Sequence, residues 1–411
     1  MTPELVAVIA VIAAAMVFDY TNGFHDAANA IATSVSTRAL TPGVALLIAA
    51  VGNFVGAHFG AKVAKTVGEG LVSLPPGLAS LGVVFAGVLG AIAWNLLTWY
   101  FGLPSSSSHA LFGGLVGATL FVAGGHVKWG NITDKVILPM LLSPVVGFIL
   151  GAIVMFALLW TVKGLTVFGR PAAPATAPAS VPALVRARVG SADDSLNGTV
   201  NGSAGSSVIG DDATVGATAT SVALDGPRPA LFGLRKRVHA AVQPKPLNRF
   251  FRWAQTLSAA AMAVGHGMQD AAKTMGIIVL ALYTGGLQSS SSDIPWWVYY
   301  SSATVLALGT YSGGWRIIRT LGRRIIHLGP PEGFAAEAVA SSVLYYNALV
   351  LGAPISTTQT ITSAITGVGA TKRVSAVRWG VAGNIVVAWV LTFPGAALFA
   401  GIAYLLVRPL F

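Results

Sequence analysis

Ten apolar runs divide this sequence, at about 4–36, 43–67, 79–101, 103–123 and 136–162, and again at about 254–285, 296–313, 333–351, 353–370 and 379–406. A helix that crosses a bilayer needs about 20 predominantly apolar residues, and most of these runs supply them. Only 9% of the residues are charged, against about 25% in soluble domains. The chain reads as an all-α polytopic membrane protein, with lipid as its surroundings. A net charge of +11 would suggest nucleic acid in a soluble protein; here it reads as basic cytoplasmic loops, and no nucleic-acid partner is expected. There is no cysteine, so neither a disulfide framework nor a thiolate metal site is available. Met1-Thr2-Pro3-Glu4 lacks the basic start of a cleavable signal, so the first run is expected to stay as a span.

The two sets of five runs are related. From Gly102 to Gly151 the second half follows the first without gaps, at a constant offset of 250. Gly102 matches Gly352, Pro104 matches Pro354, Ser106-Ser107-Ser108 match Ser356-Thr357-Thr358, and Pro144 matches Pro394. Earlier, Gly60, Lys62, Lys65 and Thr66 match Gly314, Arg316, Arg319 and Thr320. Residues 1–162 and 253–411 therefore form two repeats of about five transmembrane segments each. Between them, 163–252 is basic and rich in Pro, Ala, Gly and Ser, as in Arg170-Pro171-Ala172-Ala173-Pro174. Such a segment buries too little apolar surface to offset its ordering entropy and reads as a flexible linker.

Lys and Arg near the spans mark the cytoplasmic side, and both flanks of the linker are rich in them. An odd number of crossings on either side of a cytoplasmic loop puts both termini outside and gives the halves opposite orientations. Arg38, Arg316, Arg319, Arg323, Arg324, Lys372, Arg373 and Arg378 agree with this arrangement, while Lys62 and Lys65 fall on the opposite side. Inverted repeats are the hallmark of secondary transporters, whose sites lie near midplane where the repeats meet. The expected fold is thus a pair of inverted repeats with broken or re-entrant helices. The lengths alone leave open which segments cross fully.

Two paired motifs carry the chemistry. Gly23-Phe24-His25-Asp26-Ala27-Ala28-Asn29 is echoed by Gly267-Met268-Gln269-Asp270-Ala271-Ala272-Lys273. Each places a carboxylate three residues before an amide or an ammonium, on one helix face. An ionisable group inside the membrane is a functional hypothesis by default. The second pair is Gly102-Leu103-Pro104-Ser105-Ser106-Ser107-Ser108-His109 with Gly352-Ala353-Pro354-Ile355-Ser356-Thr357-Thr358-Gln359. Gly and Pro break the helix, and Pro suits the first turn of the next one. Ser106, Ser107, Ser108, Ser356, Thr357 and Thr358 are expected at helix N-termini, where free N–H groups and the helix dipole favour an anion. Asp26 and Asp270 would accept from a protonated anion or manage a coupling cation. Asn29 and Lys273 would join them. His25 and His109 have Gln269 and Gln359 as repeat partners, so a hydrogen-bonding role common to all four, with Ser105 nearby, is the reading they share. Asn53, Asn95, Asn347 and Asn384 read as interhelical hydrogen-bonding residues. Trp94, Trp99, Tyr100, Trp296, Trp297, Tyr299 and Tyr300 read as interface anchors.

Together these motifs resemble the PiT family of inorganic phosphate transporters, across both halves and outside the linker. The resemblance implies a duplicated inverted fold with the Pro-hydroxyl segments at re-entrant hairpin tips. It implies symport of phosphate with Na⁺ or H⁺ in a homodimer of the cell membrane. Asp26, Asn29, Ser106, Ser107 and Ser108 would line the site from the first half, and Asp270, Ser356, Thr357 and Thr358 from the second. Sodium-coupled members keep an Asn where this chain has Lys273. The departure is similar to the bacterial low-affinity branch, which implies proton coupling and carriage of phosphate with Mg²⁺ or another divalent cation, with no metal fixed in the protein and no cofactor.

A sulfate permease, a Na⁺-coupled phosphate symporter, a passive anion channel and a membrane-embedded hydrolase are the alternatives. Sulfate offers no proton to a facing carboxylate at neutral pH. A channel has no need of buried carboxylates. A nucleophilic serine needs a base that a third group orients, and no such trio is duplicated here. The protein is therefore expected not to be an enzyme.

Overall fold

A computed structural model of the protein describes residues 2–121, 126–168 and 245–411. The chain divides into two units, Met1–Lys163 with Gln243–Phe411, and Gly164–Val242; the helices that build the site belong to the first. The first half contains α1 (Pro3–Ser36), α2 (Pro42–Ala57), α3 (Ala61–Gly70), α4 (Leu78–Phe101), α5 (Ser107–Thr119), α6 (Trp129–Ile132) and α7 (Leu138–Phe168). The second contains α8 (Lys245–Thr284), α9 (Trp296–Ser312), α10 (Trp315–Arg319), α11 (Pro330–Tyr345), α12 (Thr357–Lys372) and α13 (Trp379–Val407). Wider π-type turns join α6 to α7 at Thr133–Ile137, follow α10 at Thr320–Arg324 and extend α11 at Tyr346–Leu351. Two-residue strands, β1 (Val72–Ser73) and β2 (His126–Val127), pair antiparallel. Most of the expected linker, 169–244, lies outside the described residues, and at its two ends α7 and α8 carry helix into it.

The expected apolar runs are helices, but they do not all cross. Among the described residues, five helices are long and apolar enough to span: Pro3–Ser36, Leu78–Phe101, Trp129–Val162, Pro330–Leu351 and Trp379–Val407. The run at 43–67 is two helices bent by 67°. Helices α5 and α12 have 13 and 16 residues, about 20 and 24 Å at 1.5 Å per residue. Both fall short of a hydrocarbon core of about 30 Å, which leaves them as half-helices behind a Gly-x-Pro break.

Local sequence sets these boundaries. Thr2 caps α1 by accepting from Leu5 N–H at 3.3 Å, with Pro3 in the first turn and Glu4 beside it. Gly102 ends α4 at φ +65° and Gly352 ends the turn after α11 at φ +61°. An L-residue in that left-handed conformation costs about 1–2 kcal/mol. Gly102→Ala and Gly352→Ala should therefore each lower stability by about that much, measurable as earlier thermal unfolding of purified protein.

Contacts across the halves come in matched pairs. Thr320 Oγ1 donates to Gly102 C=O at 2.9 Å, and Thr66 Oγ1 donates to Gly352 C=O at 2.8 Å. Arg316 donates to Tyr100 C=O at 2.5 Å, and Lys62 Nζ to Leu349 C=O at 2.7 Å. A cation at a helix C-terminus satisfies carbonyls that have no partner in the helix. This local duty accounts for Lys62 standing against the charge pattern of the other loops. Helix α5 packs against α13, and Gly147 and Gly151 of α7 pack against Thr360 and Ala364 of α12. A Cβ on Gly60 would stand 2.6 Å from Met268 C=O, and one on Gly314 would stand 2.1 Å from Phe24 C=O. Both glycines thus press against the helix segments that carry Asp270 and Asp26. Gly314→Ala has only backbone to displace, so loss of correctly folded protein in size-exclusion chromatography is the expected outcome.

Several polar residues differ from expectation. Asn53 does bridge helices, donating to Thr310 Oγ1 at 2.7 Å and meeting His266 Nδ1 at 2.9 Å. Asn347 instead donates to Val343 C=O one turn back in its own helical segment, at 2.8 Å. Asn384 is exposed, and the Asn95 amide, though buried, has no partner among the described residues. Trp94 is half-buried and links helices, its indole N–H donating to Thr392 Oγ1 at 3.1 Å. Trp99 meets Phe24 in an edge-to-face contact with ring centroids 5.3 Å apart, and the Arg316 guanidinium lies 5.0 Å from its ring centroid. Trp296 and Tyr300 are exposed, as anchors should be.

Candidate anion and coupling site

Helices α5 and α12 begin alike because their sequences begin alike. Ser106 caps α5, accepting from His109 N–H at 3.2 Å, and Ser356 caps α12, accepting from Gln359 N–H at 3.2 Å. Their own carbonyls start the two helices, accepting from Ala110 and Thr360 N–H. The backbone N–H groups of Ser107, Ser108, Thr357 and Thr358 are left without a partner among the described residues. All four residues are buried. Buried N–H groups are almost always paired, so four together at two helix starts make a concentrated donor array.

The two starts converge. Ser108 Oγ donates to Ile355 C=O at 3.1 Å, joining the first-half tip to the second. Asp26 lies between them, accepting from Ser107 Oγ at 3.0 Å and from Thr358 Oγ1 at 3.3 Å. Asn29, one turn further along α1, donates to Thr357 Oγ1 at 3.1 Å and to Thr358 Oγ1 at 2.9 Å. Each helix start carries about half a positive charge, so two facing each other repel unless an anionic group lies between. Asp26 supplies that charge here.

The histidine and glutamine pairs hold this frame. His25 Nδ1 lies 2.6 Å from Asp26 Oδ1, and its Nε2 lies 3.2 Å from Thr98 Oγ1. Thr98 in turn shares a 2.8 Å hydrogen bond with Ser105. Gln269 does the matching work in the other half, accepting from Ile355 N–H at 3.1 Å and donating to Ala353 C=O at 3.3 Å. The shared hydrogen-bonding role expected of His25 and Gln269 is thus visible in their contacts. His109 Nδ1 lies 2.7 Å from Ser106 Oγ, and no group orients its other nitrogen among the described residues. Gln359 is buried beside its cap.

Asp270 is paired within its own helix. Lys273 Nζ donates to Asp270 Oδ1 at 2.5 Å, His266 Nε2 lies 2.9 Å from Oδ2, and Asn22 donates to Oδ2 at 3.2 Å from α1. Asp26, His266 and Asp270 each bring one atom into a group within 4.8 Å of one another, so the two carboxylates predicted to act together do meet. The Lys273 ammonium, fully buried, already supplies Asp270 with the positive charge that a cation would bring.

Asp19, Asn22, His266 and Glu337 stand outside the paired motifs and are all buried. Glu337, on α11, is buried and accepts from Thr33, from Ser34 Oγ at 2.5 Å and from Ser258 Oγ at 2.6 Å. His266 was within reach of sequence logic, since it precedes Asp270 by one helical turn. Asp19 precedes Asp26 by two. Neither belongs to the duplicated motifs, and that is why both were missed.

The chain matches the model of the phosphate transporter family, PHO4, over residues 22–400. A probable low-affinity inorganic phosphate transporter of Rhizobium meliloti (strain 1021) is 39% identical over 404 residues, 98% of this chain and 96% of that protein. One of Bacillus subtilis (strain 168) is 36% identical over 408 residues, 99% of each chain. A solved structure described as the sodium-dependent phosphate transporter has the same fold, with a TM-score of 0.72 at 21% identity over 99% of this chain and 100% of that one. The resemblance read from the paired motifs is borne out, and with it an assignment to transporters and not to enzymes: the chain belongs to the phosphate transporter family.

Proposed function

We propose that this protein carries inorganic phosphate across the cell membrane in symport with H⁺, holding the anion where the starts of α5 and α12 meet. The observation that carries this reading is the array of four unpartnered N–H groups, flanked by the hydroxyls of Ser107, Thr357 and Thr358, at two helix starts joined through Asp26 and Asn29. Hydrogen phosphate brings its own O–H, which a carboxylate accepts; sulfate brings none. The anion would displace the Asp26 carboxylate from the hydroxyls it now occupies, and Asp26 would then accept from the bound phosphate. Phosphate neutralised by Mg²⁺ or another divalent cation suits a site with two carboxylates beside it.

Lys273 favours H⁺ over Na⁺, because its ammonium meets Asp270 where a metal cation would otherwise be needed. The matched contacts across the halves support a duplicated arrangement, and the Lys and Arg that flank 163–252 support a cytoplasmic loop with both termini outside. A homodimer is part of the same reading. Radiolabelled phosphate uptake in proteoliposomes tests it. An inward pH gradient should drive accumulation, an equal Na⁺ gradient should not, and arsenate should compete where sulfate does not. A strict requirement for Na⁺ would remove the proton from the scheme, and equal competition by sulfate would remove the selectivity.

A further inference from the structure

Asp19 is a buried acid with no evident structural task. It lies on α1, fully buried, and neither carboxylate oxygen has a hydrogen-bond partner among the described residues. Glu337 shows what a structural carboxylate looks like in this protein: it accepts from three hydroxyls on two other helices. Leaving an ionised carboxylate bare in an apolar interior costs far more than leaving it neutral. The Asp19 carboxyl is therefore disposed to hold a proton, and no fixed partner among the described residues stands in the way of its titrating.

Its position fits a coupling role. Asp19, Asn22, Asp26, Asn29 and Thr33 succeed one another at steps of three, four, three and four, so they share one face of α1. Asp19 stands two turns, about 10 Å, along the axis from Asp26. The charged groups that face it are Asp270 and Lys273, both on α8, and the Thr274 hydroxyl lies beside it. Helices α4 and α9, which also pack on α1, carry no Asp, Glu, Lys, Arg or His. Thr274 Oγ1, beside Asp19, is buried and unpartnered as well, and so is Asn22 Oδ1 one turn along α1. Lys273 is paired with Asp270 and is also close enough to act on Asp19, which links the charge of Asp19 to the pair beside the anion site.

We infer that Asp19 is the proton-carrying residue of the symport, taking up one H⁺ on its carboxylate from the outer side and releasing it to the inner side with each phosphate moved. When Asp19 loses its proton inside, Lys273 faces two carboxylates in place of one, and its hold on Asp270 weakens. When Asp19 regains the proton outside, Lys273 returns to Asp270 alone. This inference rests on the phosphate-symport reading and adds the group that makes it depend on pH.

The test uses the full chain and its Asp19→Asn and Asp19→Glu variants in proteoliposomes, with the membrane potential clamped. A one-proton symporter under a gradient of about one pH unit accumulates phosphate about tenfold. Asp19→Asn should abolish that accumulation, while exchange of internal for external phosphate persists and loses its dependence on pH. Asp19→Glu should restore accumulation in part. In infrared difference spectra taken across pH, the carbonyl band of a buried protonated acid should disappear in Asp19→Asn. Accumulation by Asp19→Asn at the level of the parent overturns the inference, as does exchange that keeps the parent's pH profile. Loss of both activities in Asp19→Asn with no recovery in Asp19→Glu also overturns it, since that is the mark of a packing residue. A parent driven by Na⁺ alone overturns it too. A parent that exchanges no phosphate at all overturns the phosphate reading as well, so the two failures are told apart.

Discussion

Asp26→Asn loses concentrative phosphate uptake by a factor of about 100 or more, while the protein still purifies as a folded species. The magnitude follows from what Asp26 does at the site. Its two oxygens accept from Ser107 and Thr358, one from each half, with His25 alongside. Groups fixed in advance at a charged site are worth about 10²–10³ in rate when removed singly. Asparagine keeps the size and one acceptor, so it can still hold one of the hydroxyls. It lacks the charge that offsets the two helix starts, and its NH2 donates where the second carboxylate oxygen accepted from a hydroxyl. Folding survives because each charge-assisted hydrogen bond is worth only about 1.5–3 kcal/mol. Uptake in proteoliposomes, read beside thermal unfolding of the same preparation, checks both statements. Near-parental uptake would mean that the anion passes without help from the carboxylate, as in a channel.

The second large effect is on stability. Lys273→Met removes the ammonium and leaves Asp270 buried with only His266 and Asn22 beside it. Breaking a buried ion pair from one side costs about 3–5 kcal/mol, since it strands the other charge. Lys273→Met should therefore unfold at clearly lower temperature than the parent. Adding Asp270→Asn should recover most of the loss, because two neutral residues in place of a pair are often close to neutral for stability. Transport should not return with it. A double-mutant cycle on thermal unfolding measures the coupling directly. If the losses from Lys273→Met and Asp270→Asn simply add in the double variant, the two side chains are not coupled and Asp270 draws its support from His266 and Asn22.

Much of this arrangement was legible in the residues. Gly102 and Gly352 could be read as breaks because left-handed backbone favours glycine. Ser106 and Ser356 could be read as caps because a hydroxyl before a helix start has one obvious use. Asp26 and Asp270 announced themselves by being charged in apolar surroundings. The bend between α2 and α3 stayed hidden because hydropathy counts apolar residues and is blind to the direction of the chain. Asn22 reaching across to Asp270, and Thr33, Ser34 and Ser258 gathering on Glu337, depend on how α1, α8 and α11 pack, and no local pattern encodes that. Asp19 was hidden differently: it has no twin in the other half, and a search guided by duplication looks only where twins exist.

The exchanged caps have a consequence for how such a chain can be taken apart. Lys62 and Thr66 close the broken helix ahead of Pro354, and Arg316 and Thr320 close the one ahead of Pro104. Each half thus holds the clasp for its counterpart's hairpin and lacks the clasp for its own. Two fragments divided within 169–244 should be degraded when made separately and should rebuild a working carrier when made in the same cell.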